Sequence, residues 1–213
     1  REWLKRTDDR ELVKELVRFV KEGRIEVCGI HTTMHSAVAG PDDLCQMTYE
    51  ARRLSEELGI EIVSGIQNDV PGYPWAFPQI LSKSGIKYLF TGINTILSGG
   101  LKIPINDMPF YWEGIDGSRV MLFVQDGYCW PIHKRKFFKN FCCNLDFAEG
   151  AQDLLDFVKE LEDGGYPYDS FLFMSSPGDN CPPSHSEHFR RAAERWNAER
   201  RMPRIEISTP RRY

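Results

Sequence analysis

Residues 60–94 read IEIVSGIQNDVPGYPWAFPQILSKSGIKYLFTGIN, and this stretch decides the fold. The two apolar, β-branched runs 60–66 and 86–94 are typical of buried strands. The intervening Pro- and Gly-rich loop leads into a short helix within residues 74–85, which ends at a glycine. Because a helix that crosses between two strands returns the chain in the same direction, the stretch predicts a pair of parallel strands.

The same alternation continues on both sides of this unit. Further helical periodicity is found in residues 8–21, 41–58, 147–165 and 184–200, and further strand patterns in residues 24–30, 169–176 and 204–209. The sequence therefore predicts an α/β fold with about five parallel strands. Near residues 108–124 two apolar runs flank an Asp-Gly turn, which predicts a β-hairpin inserted into the alternating pattern.

Length and composition exclude several classes of protein. The 213 residues fit one domain, and a net charge of −4 argues against binding to nucleic acids or to anionic membranes. The sequence contains no apolar run of membrane-spanning length, its first residues are charged, and its six cysteines form no CxxC motif. We therefore expect a soluble protein with reduced thiols and a small polar substrate; the compartment stays open, with the cytoplasm favoured.

Two carboxylates follow predicted strands. Asp69 lies in the loop after residues 60–66, and Asp179 lies in the loop after residues 169–176. The carboxyl ends of parallel strands meet at one edge of a sheet, where ligands bind, and sugar hydrolysis requires two carboxylates. The pair therefore suggests glycosidase chemistry. The structural alternatives are that Asp69 caps the next helix or forms an Asx-turn, and that Asp179 is a turn residue.

The same loops contain polar and aromatic side chains that suit a carbohydrate cleft. Aromatic rings stack on the apolar faces of sugars, and amide or imidazole groups bind hydroxyls. The candidate substrate contacts are His31, His35, Asn68, Tyr73, Trp75, Trp112, Tyr128 and Asn180. Alternatively, the two histidines make ordinary loop contacts, and some of the aromatic rings, Trp112 among them, belong to the core.

Two segments carry a resemblance to a known family. NDVPGYPWAFPQILSKSGIKYLFTGIN (68–94) and PFYWEGIDGSRVMLF (109–123) resemble the N-terminal catalytic domain of glycoside hydrolase family 38, the α-mannosidases. A closer likeness is to uncharacterised bacterial relatives whose loop reads much like TDVPGH. LVRFVKEGRIEVCGI (16–30) and GDNCPPSHSEHFRRAAERWN (178–197) are also similar to family segments, so the likeness spans most of the chain.

The resemblance implies a seven-stranded (β/α) barrel-like domain of the glycoside hydrolase and deacetylase type. It also implies retaining hydrolysis of α-mannosides with a divalent metal, usually zinc. Asp69 matches the nucleophile of the family, which is also a metal ligand, and Asp179 lies in the loop that supplies the candidate acid and base. The carbohydrate substrate, the zinc and these roles are thus expectations from family likeness.

The sequence departs from the family at the metal site. It contains no His-x-Asp motif, which supplies the first metal ligands of the family, and Tyr73 stands where relatives have a histidine. Of the usual four ligands only Asp69 is visible, so residues 1–213 are expected to be a single barrel-like domain that is incomplete and part of a longer enzyme. Two alternatives remain: a non-catalytic carbohydrate-binding domain, and a deacetylase-like metal hydrolase using the His-x-x-x-His of His31 and His35.

Overall fold

The computed structural model describes residues 4, 6–70, 72–94, 108–125, 128, 147–172, 186–199 and 202–213. The contacts divide the chain into two compact units, residues 1–128 with 208–213, and residues 129–207. Each unit is described by itself below, and the expectation of a single domain stays a prediction.

The first unit begins with two helices whose ends follow from local sequence. Helix α1 spans Arg10–Lys21, and the Asp9 carboxylate caps it by accepting a hydrogen bond from the Leu12 N–H at 2.9 Å. Helix α2 spans Pro41–Leu58, with proline in its first turn and Gly59 in the left-handed conformation, φ 61°, at its end. The predicted helices over residues 8–21 and 41–58 are therefore confirmed.

A four-stranded mixed sheet forms the centre of the first unit. The strands are β1 (Ser64–Ile66), β2 (Tyr88–Gly92), β3 (Pro109–Glu113) and β4 (Arg119–Gln125), and their order in the sheet is β1-β2-β4-β3. Strands β1 and β2 pair in parallel, with Gly65 opposite Leu89, and the short helix α3 (Phe77–Lys83) connects them. The strand, helix and strand unit predicted from residues 60–94 is confirmed.

The predicted excursion near residues 108–124 is part of the sheet. Strands β3 and β4 pair antiparallel across the turn at Asp116-Gly117, while residues 121–125 of β4 also pair in parallel with β2. The antiparallel pair predicted there is thus present, and β4 is an interior strand that is buried along most of its length; that the pair is an insertion into the alternating pattern stays a prediction. Sequence periodicity reports that a strand exists and does not report its neighbours.

Three of the predicted strands are not strands in the described residues. The chain at 24–30 runs beside β1 with a single backbone hydrogen bond, from the Gly29 N–H to the Ser64 carbonyl at 2.7 Å, which is too little for a ladder. Residues 169–172 are irregular, and the rest of that predicted strand lies outside the described residues. At 204–209 the backbone of Ile205 is occupied, because its N–H and carbonyl both bond to the Asn197 side chain, at 2.9 and 2.8 Å. The described part of the sheet thus has three parallel strands, and a closed barrel stays a prediction.

The core of the first unit lies between the sheet and the helices that cover it. Phe77, Leu81 and Leu89 have no exposed surface, and burying a side chain of this size contributes about 1.5–3 kcal/mol. They pack with Leu44 and Met47 of α2 in one cluster. These contacts hold α2 and α3 against the strands whose ends form the candidate site.

The second unit contains two helices with their own core. Helix α4 spans Phe147–Asp163 and helix α5 spans Ser186–Glu199, within the segments in which periodicity predicted helices. Leu154 and Phe157 of α4 are buried with Trp196 of α5, and the indole N–H of Trp196 donates to the Pro203 carbonyl. In neither unit does a described helix have the length and apolarity needed to cross a membrane.

Candidate functional site

The carboxyl ends of β1, β2 and β4 lie side by side and are joined beyond the strands themselves. The Gln67 N–H donates to the Phe90 carbonyl at 3.0 Å, and the Ile93 N–H donates to the Gln125 carbonyl at 3.1 Å. Polar residues follow each strand, with Gln67 to Asp69 after β1 and Asn94 shortly after β2. This edge is where parallel α/β proteins bind their ligands.

Asp69 is held in an uncommon backbone conformation at this edge. Its φ of 63° makes it the one non-glycine residue with a positive φ in the described part of the chain. Its N–H donates to the Gly92 carbonyl at 3.1 Å, which fixes the backbone against β2. Non-glycine residues pay for this conformation, and such residues cluster at functional sites.

The carboxylate of Asp69 has one restrained and one open oxygen. The Asn94 amide Nδ2 donates to Asp69 Oδ1 at 2.7 Å, while Oδ2 has no hydrogen bond to any residue that the structure describes. The side chain is exposed, so Oδ2 is accessible to a ligand. The helix-capping alternative does not hold, because the N-cap of α3 is Ala76 and no side chain caps that helix.

Asn68 turns its side chain towards the sheet. Its Oδ1 accepts a hydrogen bond from the Gly92 N–H at 2.7 Å, in the place where a continuing strand would offer a carbonyl. Gly92 therefore bonds to Asn68 through its N–H and to Asp69 through its carbonyl. This double contact fixes the position of the Asp69 Cα relative to β2.

A buried hydroxyl pair closes the loop that carries Asp69. The hydroxyls of Tyr73 and Thr91 both lie within hydrogen-bond distance of the Gln67 carbonyl, at 2.9 and 2.6 Å, and their oxygens lie 2.5 Å apart, so two protons serve three contacts in which either hydroxyl can donate to the carbonyl. Burial raises the pKa of Tyr73 to about 12, and the hydrogen bond with Thr91 opposes this rise. Since the phenol stays protonated at neutral pH, it acts as a permanent donor that ties residue 73 back to residue 67.

The side chain of Gln67 joins this loop to the preceding one. Gln67 is fully buried, and its Nε2 donates to the Met34 carbonyl at 2.5 Å, while its Oε1 has no partner among the described residues. The Ser36 hydroxyl adds a second link by donating to the Gly72 carbonyl at 3.4 Å. The loop with the two predicted histidines is thereby fastened beside the Asp69 loop.

His31 and His35 lie in this first loop, as the sequence predicted. Both are exposed, the His31 N–H donates to the Met47 carbonyl at 2.9 Å, and His35 precedes a short 3-10 helix at Ser36–Val38. No group of three or more His, Cys, Asp and Glu side chains is placed to hold a metal within the described residues. The ligands available there do not fit a zinc site of three or four protein groups, because Asp69 lacks companions.

The predicted aromatic contacts have different surroundings. Trp75 is 69% exposed in the loop after Asp69, whereas the Trp112 ring packs with Tyr73 and Phe77, at centroid distances of 6.0 and 6.3 Å. Tyr128 is half-buried just beyond the carboxyl end of β4. Their roles as substrate contacts stay predictions, and Asp179 and Asn180 lie outside the described residues.

Sequence reasoning did not select Asn94, Thr91 or Gln67. Asn94 lies two residues beyond the end of β2, as Asn68 lies two residues beyond the end of β1. This shared offset is the signal that could have identified it. Gln67 and Thr91 are buried, and residues of their type give no sign in a sequence of whether they face the core or the solvent.

The fold and the polar carboxyl edge define an α/β protein of the kind that binds its ligand where parallel strands end. The model of the glycosyl hydrolases family 38 N-terminal domain matches residues 1–213, and the chain belongs to this family. It also matches the crystal structure of a protein in glycosyl hydrolase family 38 from Enterococcus faecalis, with a TM-score of 0.51 and 11% identity. That match covers 93% of this chain and 22% of the other, so the chain spans about a fifth of that protein. No curated protein matches the chain.

The family is one of glycosyl hydrolases, so glycoside hydrolase chemistry and a carbohydrate substrate are the activity and ligand to be proposed for this chain. Family membership does not favour the two alternatives, the non-catalytic binding domain and the deacetylase-like hydrolase. The structure adds no ligand set around His31 and His35 that would support the latter, within the residues it describes.

Proposed function

We propose that this chain is the catalytic part of a retaining glycoside hydrolase that acts on α-mannosides. Asp69 is the nucleophile and Asp179 the general acid and base. The observation that carries the proposal is the state of the Asp69 carboxylate at the carboxyl edge of the sheet. One of its oxygens is held by Asn94 at 2.7 Å, and the other is accessible.

The geometry suits a nucleophile, because a displacement reaction needs one oxygen in a fixed direction. The backbone of Asp69 is bound to Gly92, and Tyr73 ties the far end of the loop to Gln67. A carboxylate held in this way loses little freedom on reaching the transition state. The exposed ring of Trp75 lies in the same loop and offers a face on which a sugar ring can stack.

The proposed reaction has two displacements. In the first, a lone pair of Asp69 Oδ2 forms a bond to the anomeric carbon. The bond from that carbon to the glycosidic oxygen breaks with its electron pair on the departing oxygen, which takes a proton from Asp179. In the second, the Asp179 carboxylate removes a proton from water, and the water oxygen bonds to the anomeric carbon as the bond to Asp69 breaks. Retaining glycosidases in general have their two carboxyl groups about 5–5.5 Å apart.

The remaining predicted contacts are proposed to bind the hydroxyls and ring faces of the sugar. They are His31, His35, Asn68, Tyr73, Trp75, Trp112, Tyr128 and Asn180. Zinc binding at Asp69 is a separate part of the proposal, since the two displacements above need only the carboxylates. We expect residues 1–213 to bind zinc weakly, and calorimetry with the wild-type chain and an Asp69→Asn variant measures this.

The test of the nucleophile is hydrolysis of an aryl α-mannoside by the full-length protein. Asp69→Asn should lower kcat by about 10⁴-fold or more, as expected when a covalent nucleophile is lost. Asp116→Asn is the matched control, because Asp116 lies in the turn before β4, at the opposite edge of the sheet, and should retain activity. NMR of the first product should show retained configuration.

Azide makes the test specific. Asp69→Gly suits the positive φ of this position and leaves room for an anion where the carboxylate was. With this variant, azide should restore turnover of the aryl substrate and give the glycosyl azide of inverted configuration. An active Asp69→Asn protein, or an inverted product from the wild type, would overturn the proposal.

A further inference from the structure

We infer that Asn94 is a positioning residue that selects which oxygen of Asp69 attacks the sugar. The inference rests on the proposed role of Asp69 as nucleophile. Its basis is the hydrogen bond from Asn94 Nδ2 to Asp69 Oδ1, at 2.7 Å, which joins residues 25 positions apart, just beyond the ends of two neighbouring strands. A bond from an amide to an ionised carboxylate is roughly twice as strong as one between neutral groups.

Asn94 is itself held at a defined place. The preceding residue, Ile93, donates its N–H to the Gln125 carbonyl at 3.1 Å, and Gln125 is 99% buried at the end of β4. Strand β2 lies between β1 and β4, so the segment after it is bounded on both sides. The backbone that carries the Asn94 side chain is therefore fixed by its hydrogen bond to β4.

The same segment also fixes Asp69. Gly92 accepts from the Asp69 N–H at 3.1 Å and donates to Asn68 Oδ1 at 2.7 Å. Gly92 therefore positions both residues of the contact, because it is bonded to the segment 68–69 and lies two residues before Asn94. Because Asn94 and Asp69 are both anchored at Gly92, motion elsewhere in the loop has little effect on the direction of the carboxylate.

The contact has a chemical consequence for each displacement. Rotation about the terminal bond of an aspartate is broad, so an unrestrained carboxylate presents either oxygen in many directions. With Oδ1 held by Asn94, Oδ2 is the oxygen left free to form the bond to the anomeric carbon, and its direction is restricted. When that bond breaks in the second step, the negative charge returns to the carboxylate, and the Asn94 donor stabilises it.

The experiment compares trapping and turnover in variants of the full-length protein. Asn94→Leu keeps the branched shape and removes the donor, and Asn94→Gln keeps the amide on a longer stem. A fluorinated α-mannosyl fluoride, which forms a long-lived glycosyl-enzyme, is used with intact-protein mass spectrometry to time the labelling and its decay. Peptide mapping then identifies the labelled residue.

We expect Asn94→Leu to lower the rate of labelling and kcat by about 10²-fold, the size typical of a displaced reacting group, with little change in KM. The decay of the glycosyl-enzyme should slow as well. Asn94→Gln should recover part of both losses, which a merely structural role would not produce. Ser118→Ala is the matched control, since it removes another neutral donor from an aspartate, the 2.9 Å bond to Asp116 Oδ2 at the opposite edge of the sheet.

The outcomes separate this inference from the function on which it rests. If Asp69 is not the residue labelled in the wild type, both are overturned. If Asp69 is labelled and Asn94→Leu reacts at the wild-type rate, the positioning role alone is overturned. The same holds if a folded Asn94→Gln is as slow as Asn94→Leu.

Discussion

The buried hydroxyl pair of Tyr73 and Thr91 gives the sharpest stability prediction. In Tyr73→Phe one hydrogen bond is lost, which costs about 1 kcal/mol. The Gln67 carbonyl keeps its bond from Thr91 at 2.6 Å, and the ring keeps its stacking on Phe77, with centroids 5.5 Å apart. Thr91→Val should cost a similar amount, because Tyr73 still donates to Gln67.

The double variant should cost more than the sum of the single variants. Tyr73 and Thr91 carry the two hydroxyls that can donate to the Gln67 carbonyl among the described residues, and Gln67 is fully buried. Only when both are removed does this carbonyl lose its partners, which adds a further penalty of about 1–3 kcal/mol. We therefore expect a double-mutant cycle to give a non-additive term of that size.

Urea unfolding followed by circular dichroism measures these free energies. Tyr88→Phe is the control, because Tyr88 is half-buried in β2 and its hydroxyl has no hydrogen bond to the residues described, so its removal should cost little. An additive double variant, or a Tyr73→Phe variant no less stable than Tyr88→Phe, would refute the reasoning.

The pH dependence of the same variant has a definite sign. The pKa of Tyr73 is raised by burial from 10.0 to about 12, so the folded state keeps a proton that the unfolded chain releases. This contribution to stability is complete below pH 10 and is lost between pH 10 and 12, by about 2–3 kcal/mol. The Tyr73→Phe variant has no phenol to titrate and does not lose this stability between pH 10 and 12. It should be less stable than the wild type at pH 7 and more stable near pH 12.

Two further predictions concern the strand-like segment beside β1. A methyl group added in Gly29→Ala would lie 2.2 Å from Ile86 Cδ1 and 3.2 Å from Ile62 Cγ2. The free energy of unfolding of this variant should therefore fall by about 1–3 kcal/mol, and an unchanged melting temperature would contradict this close packing. Burial, with a smaller contribution from Glu26, raises the pKa of Cys28 to about 11. Alkylation of this thiol at pH 8 should therefore be slow until the protein unfolds. Peptide mapping measures the labelling, and equally fast labelling of native and denatured protein would argue against a buried thiol.

The local elements could be read from the sequence because their signals are local. Asp9 caps α1, Pro41 and Gly59 bound α2, and the stretch 60–94 contains the strand, loop, helix and strand found in the structure. Asp69 was placed at the end of a strand for the same reason. Caps, glycine breaks and hydrophobic periodicity act within a few residues, so the chain specifies them without reference to its other parts.

The neighbours of these elements were decided by the tertiary structure. Periodicity could not show that β4 lies between β2 and β3, or that the backbone of residue 205 is taken up by Asn197 rather than by a strand. Nor could it show that Asn94 meets Asp69 across 25 residues. Strand order and register depend on which apolar faces pack together over long separations, and a polar side chain finds its partner only after that packing has fixed both backbones.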